Sequence, residues 1–274
     1  VKSFTKRDKD ARGGNSDVSE TKPIRVTVWG ENLHEQKHEA VQKVYPNGMH
    51  NAIAEGLREY LGDKAVVRTA TLDQPEHGLA DEVLAETDVM TWWGHMGHHL
   101  VDDAIAKKVH DRVLAGMGFV VLHSGHLSKP FVKLMGTSCN LRYREANERE
   151  LVWTVNPAHP ITRGVPECIV IPEQEMYGEP FDVPPPDDLI FISSFAGGEV
   201  FRSGCCYTRG AGRIFYFSPG HETHPVYFQA EVRRVIANGV EWVYPAHVGG
   251  DRRTLTNCVH SPMGWFLAVP AEGE

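Results

Sequence analysis

The residues best able to do chemistry in this 274-residue chain are its 15 histidines, and they fall in tight groups. "TWWGHMGHHL", residues 91–100, places His95, His98 and His99 directly behind an apolar run. "VVLHSGH" does the same with His123 and His126, and "FSPGHETH" with His221, Glu222 and His224. Glu31, His34 and His38 follow "IRVTVWG". Neutral imidazole is the commonest metal ligand, and a catalytic zinc typically takes three protein ligands and keeps one position open. One histidine from each of three runs, His95, His123 and His221, is therefore the expected ligand set. No pair among them has a diagnostic spacing such as HExxH. His99 and His224 are expected to face solvent, and His110 to lie on a helix surface.

A second group is "EQEMYGE", where Glu173, Glu175 and Glu179 flank Tyr177. Carboxylates offer oxygen to metals, and a partly buried one serves as a general base. Glu175, beside the aromatic ring, is the expected base, with His126 and Glu222 as further proton-handling candidates. The segment is expected to be a loop following the strand "CIVI".

Periodicity indicates what must hold these residues. "IRVTVW" is rich in β-branched residues and reads as a strand. Met49, Ile53, Leu57 and Leu61 recur every four residues on one helical face, with Gly62 as a stop. "AVVRTATL" and "DVMTWW" read as the next strands. Asp102 and Asp103 open a helix carrying Ile105, Val109 and Val113, since acidic residues suit the exposed amides of a helix start. "FVVL" is a fourth strand, and Ser128 caps a further helix with Pro130 in its first turn. This alternation predicts a parallel sheet with helices on both sides, and ligands bind beyond the carboxyl ends of such strands. Every histidine group above falls there. The second half, with "CIVI", "LIFISSF", "VFRSGCCYT" and "RIFYFS" joined by short turns, predicts an antiparallel extension. A closing helix carries Val232, Val235, Ile236, Val240 and Val243.

A net charge of −8 argues against nucleic-acid binding, and no apolar stretch approaches the ~20 residues needed to span a bilayer. Residues 1–21 are polar, without a signal-like hydrophobic segment, and are expected to be a disordered tail, with residues 22–274 forming a single domain. The five cysteines show no CxxC pair, so a reducing cytoplasm is expected. "GWFLAVP" near the C-terminus is expected either to dock on a neighbouring copy, giving a homo-oligomer, or to fold back on its own domain.

At "VVLHSGH", "QEMYGE" and "GRIFYFSPGHE" the chain resembles the trehalose-utilisation, or ThuA-like, family. The matching residues are His123, Glu175-Met176-Tyr177 and Gly220-His221, with "AHPITRGVP" (Ala158 to Pro166) similar to the family's His-Pro loop. The resemblance implies an α/β, flavodoxin-like three-layer sandwich related to class I glutamine amidotransferases. The cysteine nucleophile of those enzymes is replaced here by His123-Ser124-Gly125, so amidotransfer lacks its central atom. Ser124 has no GxSxG elbow around it. The resemblance also implies a small-molecule sugar substrate, with an NAD-dependent sugar oxidoreductase as a functional partner. The expected reaction is metal-assisted proton abstraction from a keto-sugar, ending in cleavage or isomerisation. The metal would be zinc first, with manganese, nickel or iron as alternatives. Glu31, His34, Trp93, His98, Tyr177 and Arg202 are the expected substrate contacts. A non-catalytic sugar-binding or regulatory module is the rival expectation.

Overall fold

The computed structural model describes residues 22–244. The tail expected over residues 1–21 and the segment "GWFLAVP" lie outside the described residues. Among the described residues, nine strands form one sheet in the order β2-β1-β3-β4-β9-β8-β7-β5-β6. The first four are β1 (Ile24–Gly30), β2 (Ala65–Thr71), β3 (Val89–Trp93) and β4 (Gly118–Leu122). They run parallel, as the alternation with helices requires. The other five are β5 (Arg142–Thr154), β6 (Cys168–Gly178), β7 (Asp188–Ser194), β8 (Val200–Arg209) and β9 (Gly212–Phe217). All their pairings with one another are antiparallel. β9 is the seam: it lies parallel to β4 and antiparallel to β8.

Helices α1 (His34–Lys37), α2 (Glu39–Val44) and α3 (Met49–Leu61) follow β1. α4 (Asp81–Ala85) precedes β3, α5 (Asp103–Leu114) and α6 (Lys129–Met135) flank β4, and α7 (Ala230–Val243) closes the described chain. Strand side chains alternate between faces, and each face buries its own core. Val26, Val28, Val120 and Leu122 pack with the predicted apolar stripes of α3 and α7. Trp29, Trp92, Phe119 and Val121 pack with residues of α4, α5 and α6 on the opposite face. Trp29 and Trp92 stack with ring centroids 3.8 Å apart. Asp102 caps α5 by accepting from the Ala104 amide at 2.7 Å. Ser128 sits at the cap position of α6, but its hydroxyl makes no capping bond.

Two expectations change. The segment "PEQEMYG" belongs to β6 and is not a loop. Its partner β5 was not foreseen, because the outward run Arg142–Asn147 is exposed and charged instead of alternating. The pairing of β5 with β6 shifts register twice, between Arg144 and Glu148 and again between Glu148 and Glu150. Extra residues bend a strand pair. Pro172, with no N–H to donate, falls in the second irregularity. The bent pair brings the end of β6 from the far edge of the sheet onto the carboxyl ends of β4 and β9.

Candidate active site

Because β1, β3, β4 and β9 are parallel neighbours, the four loops that follow them open at one rim. Those loops carry His34, His95, His123 and His221. Specific bonds aim them. The Glu31 carboxylate accepts from the His95 amide at 2.7 Å, tying the loop after β1 to the loop after β3. The Trp93 indole donates to the Gly220 carbonyl at 3.0 Å, tying β3 to the turn before His221. Gln174 on β6 accepts from the amides of both His221 (3.2 Å) and Glu175 (3.0 Å).

His123 sits at the strand-to-turn junction with φ of 47°, a left-handed backbone that non-glycine residues adopt at a cost. Its Nδ1 donates to the Ser218 carbonyl at 2.7 Å. That bond leaves Nε2 as the unprotonated nitrogen of the neutral ring, 3.1 Å from Glu175 Oε2 and 3.2 Å from the Tyr177 hydroxyl. The Tyr177 ring stacks on His123 at 4.6 Å and 4°. Burial, against the Ser218 bond, drives the His123 pKa down to about 3, and burial raises that of Glu175. Burial thus favours the neutral imidazole and disfavours the ionised carboxylate.

Glu222 is the second hub. Its Oε1 lies 3.4 Å from His34 Nδ1 and 3.4 Å from His95 Nδ1, and its Oε2 lies 3.6 Å from His221 Nε2. These three nitrogens and Glu222 Oε2 are buried and have no hydrogen-bond partner. The Thr223 amide donates to His221 Nδ1 at 3.3 Å, and Thr223 Oγ1 lies 2.8 Å from the same nitrogen. Burial, then neighbouring histidines, pushes His34 to about 4 and His221 to about 3. Burial pushes Glu222 up to about 7. The donor atoms of His34, His95 and Glu222 lie within 4.8 Å of one another, as do those of Glu145, Glu175 and His221.

The expected residues divide accordingly. His34, His95, His123, His221, Glu175 and Glu222 are brought together, with His98 beside His95, where burial lowers its pKa to about 4. His123 is committed to Ser218, Glu175 and Tyr177, so the grouping around Glu222 takes His34 in its place. Glu31 is buried, with Oε2 tied to the His95 amide and Oε1 without a hydrogen-bond partner. Trp93 is 1% exposed, within the core against α3 and α7. Tyr177 has its face covered by His123. Arg202 is taken up by Glu179 through two bonds, 2.8 and 3.0 Å, and by the Phe181 carbonyl at 2.6 Å. His126 donates to the Cys139 carbonyl at 2.7 Å, and Tyr177, Phe181 and Tyr216 surround its ring. It packs behind the site and does not join the converging donors. His224, expected in solvent, is buried 5.6 Å from His221, whereas His99 is exposed. The Ser124 hydroxyl is buried without a partner, so no serine–base pair forms. Cys205 and Cys206 are core residues. His159, in the His-Pro loop, caps Ile161 and packs on Trp242 of α7.

The sequence reading missed Gln174 and Glu145. Alternation along a strand pair is the signal that places them, and it requires β5 to be recognised first.

The trehalose-utilisation (ThuA) family matches this sequence over residues 25–243. The chain belongs to the ThuA family. The family's description, trehalose utilisation, points to a carbohydrate-related role. Among solved structures, a ThuA-like protein from Bacteroides uniformis superimposes with a TM-score of 0.62 at 16% identity, covering 84% of this chain and 95% of that one. A ThuA-like protein from Parabacteroides merdae gives 0.60 at 14% identity, covering 82% and 91%. A cytoplasmic protein of Salmonella typhimurium gives 0.52 at 12% identity, covering 81% and 100%. At these identities the likeness is one of fold. Among curated proteins none matches this chain. Among the described residues no helix is long and apolar enough to cross a membrane.

Proposed function

We propose that this ThuA-family protein is a metal-dependent enzyme acting on a keto-sugar, with a divalent transition metal held by His34, His95 and Glu222. The observation that carries this reading is the approach of two unpartnered imidazole nitrogens to one buried carboxylate oxygen, each at 3.4 Å. Donors bonded to a tetrahedral zinc at about 2.05 Å stand about 3.4 Å apart. The residues therefore fit the ion in donor type and number, and both nitrogen–oxygen separations match it. A cation among them would also hold Glu222 ionised, against the burial that protonates it. Zinc suits this nitrogen-rich set best, and manganese, nickel or iron remain chemically compatible.

When bound, the ion supplies Lewis acidity toward a carbonyl oxygen. The protein's own residues handle the proton. A carbonyl at C3 of a glycoside makes the C2 proton acidic, and the Glu175–His123 pair takes it. Ser218 anchors the far side of the His123 ring, and Tyr177 fixes its plane. The resulting enediolate expels the C1 substituent, which takes up the proton the pair removed and leaves a C1–C2 double bond beside the restored carbonyl, or it is reprotonated and isomerises the sugar. An NAD-dependent sugar oxidoreductase in the same cytoplasm would supply the keto group.

Elemental analysis of protein purified without an affinity tag, paired with a turnover screen over keto- and unmodified disaccharides, tests this reading. Bound transition metal and turnover of the keto-sugars support it. A metal-free protein that binds sugar tightly without turnover overturns it in favour of a binding module.

A further inference from the structure

Glu222 has two oxygens, and only Oε1 faces His34 and His95 at 3.4 Å. Its Oε2 is turned away from His34 and His95 and lies 3.6 Å from His221 Nε2. That nitrogen is in turn 3.9 Å from Glu175 Oε2. Both Glu222 Oε2 and His221 Nε2 are buried without a hydrogen-bond partner, on side chains only 5% exposed. Glu145, reaching in from the outward end of β5, brings its carboxylate within 4.8 Å of the donor atoms of Glu175 and His221. Two donor sets therefore share one carboxylate: a nitrogen-rich set on the loops after β1 and β3, and an oxygen-rich set on β5, β6 and the loop after β9.

We infer that the site binds two divalent metal ions, the second held by Glu145, Glu175 and His221, with Glu222 bridging the pair. The inference rests on the first ion being held as proposed above. A carboxylate whose two oxygens face separate nitrogen donors is the arrangement a bridging ligand requires, and ions in two-metal enzymes stand about 3.5–4 Å apart. The second set holds two carboxylates and one imidazole, so it suits a harder ion than the first. The first set is built from rim loops tied together by Glu31. The second depends on the irregular pairing of β5 with β6, where Asn147 adopts a φ of 50°. In the doubly loaded protein Glu175 serves as a ligand, and proton acceptance in the His123–Glu175 pair falls to His123 Nε2.

The test is a cobalt(II) titration of the full, untagged, metal-stripped chain, read by visible absorption and by elemental analysis after desalting. The wild-type protein is expected to retain two equivalents. Glu145→Gln, at an exposed strand position, is expected to retain one with unchanged circular dichroism, and Glu175→Gln is expected to do the same. One equivalent in the wild type, unaltered by Glu145→Gln, overturns the second ion and leaves the first standing. Two equivalents that persist in both variants overturn the assignment of the second ligand set. No retained metal in the wild type overturns the metal-dependent reading itself, and the inference with it.

Discussion

At the scale of single residues, the proposal takes His34 and His95 as ligands because their unpartnered Nδ1 atoms face Glu222, and His123 as a proton-handling group because its Nε2 faces Glu175 and Tyr177. His123 spends Nδ1 on the Ser218 carbonyl and presents Nε2 to Glu175 and Tyr177. His123→Asn is therefore expected to keep its metal while turnover of the keto-sugar falls by about 10²–10⁴-fold, the range for loss of a positioned acid–base group. Elemental analysis beside steady-state kinetics checks this, and loss of metal in the variant would return His123 to the ligand set. Glu150 of β5 gives a second prediction. It is fully buried, accepts from Ser193 at 2.5 Å, and burial pushes its pKa up to about 7 from 4.5. The folded state thus holds this proton more tightly than the unfolded chain. The stability it contributes is full below about pH 4.5 and is lost as pH rises toward 7. Glu150→Gln, which mimics the protonated acid, should gain on the wild type progressively over that window, by roughly 3 kcal/mol at pH 8. Urea denaturation at several pH values measures the difference; a gain independent of pH would contradict it. Residue types and their places behind apolar runs made the histidines of the site legible in the sequence. Which imidazole faces which carboxylate was not, because that depends on side-chain direction in short turns.

At the scale of elements, β3 and β4 were legible because each is an apolar run buried on both faces, β1 and the half-exposed edge strand β2 because of their β-branched residues, and α3, α5 and α7 because their apolar residues follow a helical period. β5 was hidden by Arg142, Arg144, Glu145, Glu148 and Arg149, which satisfy water instead of a core. Missing β5 left Glu175 and Tyr177 in an unanchored loop. Turns that depend on one small residue are also invisible to periodicity. Gly220 has a φ of 144°, and a Cβ there would lie 2.0 Å from the Tyr227 hydroxyl. Gly220→Ala is therefore expected to destabilise the fold by about 2 kcal/mol or more, from backbone strain and the clash together. It should also displace His221 and Glu222 and reduce metal content out of proportion to the loss of stability. Thermal denaturation with elemental analysis reads both effects, and an unperturbed melting temperature would refute the turn's role.

At the scale of the whole molecule, the candidate ligands tie together loops that follow β1, β3 and β9, elements far apart in sequence and adjacent in the sheet. An ion bound by the native state alone adds stability by mass action, about 2.7 kcal/mol at one hundred times its Kd. Chelation followed by desalting should lower the melting temperature by several degrees, and added zinc should restore it. A melting temperature indifferent to both would mean that the loops hold one another without an ion. In the proposed function, imidazoles from separate crossover units gather on Glu222 to bind a transition metal. Anomalous scattering from zinc-grown crystals, recorded on both sides of the zinc edge, tests it most directly. The predicted result is an anomalous peak about 2 Å from His34 Nδ1, His95 Nδ1 and Glu222 Oε1. Zinc found only on surface histidines such as His99 or His110, with none beside Glu222, would contradict it.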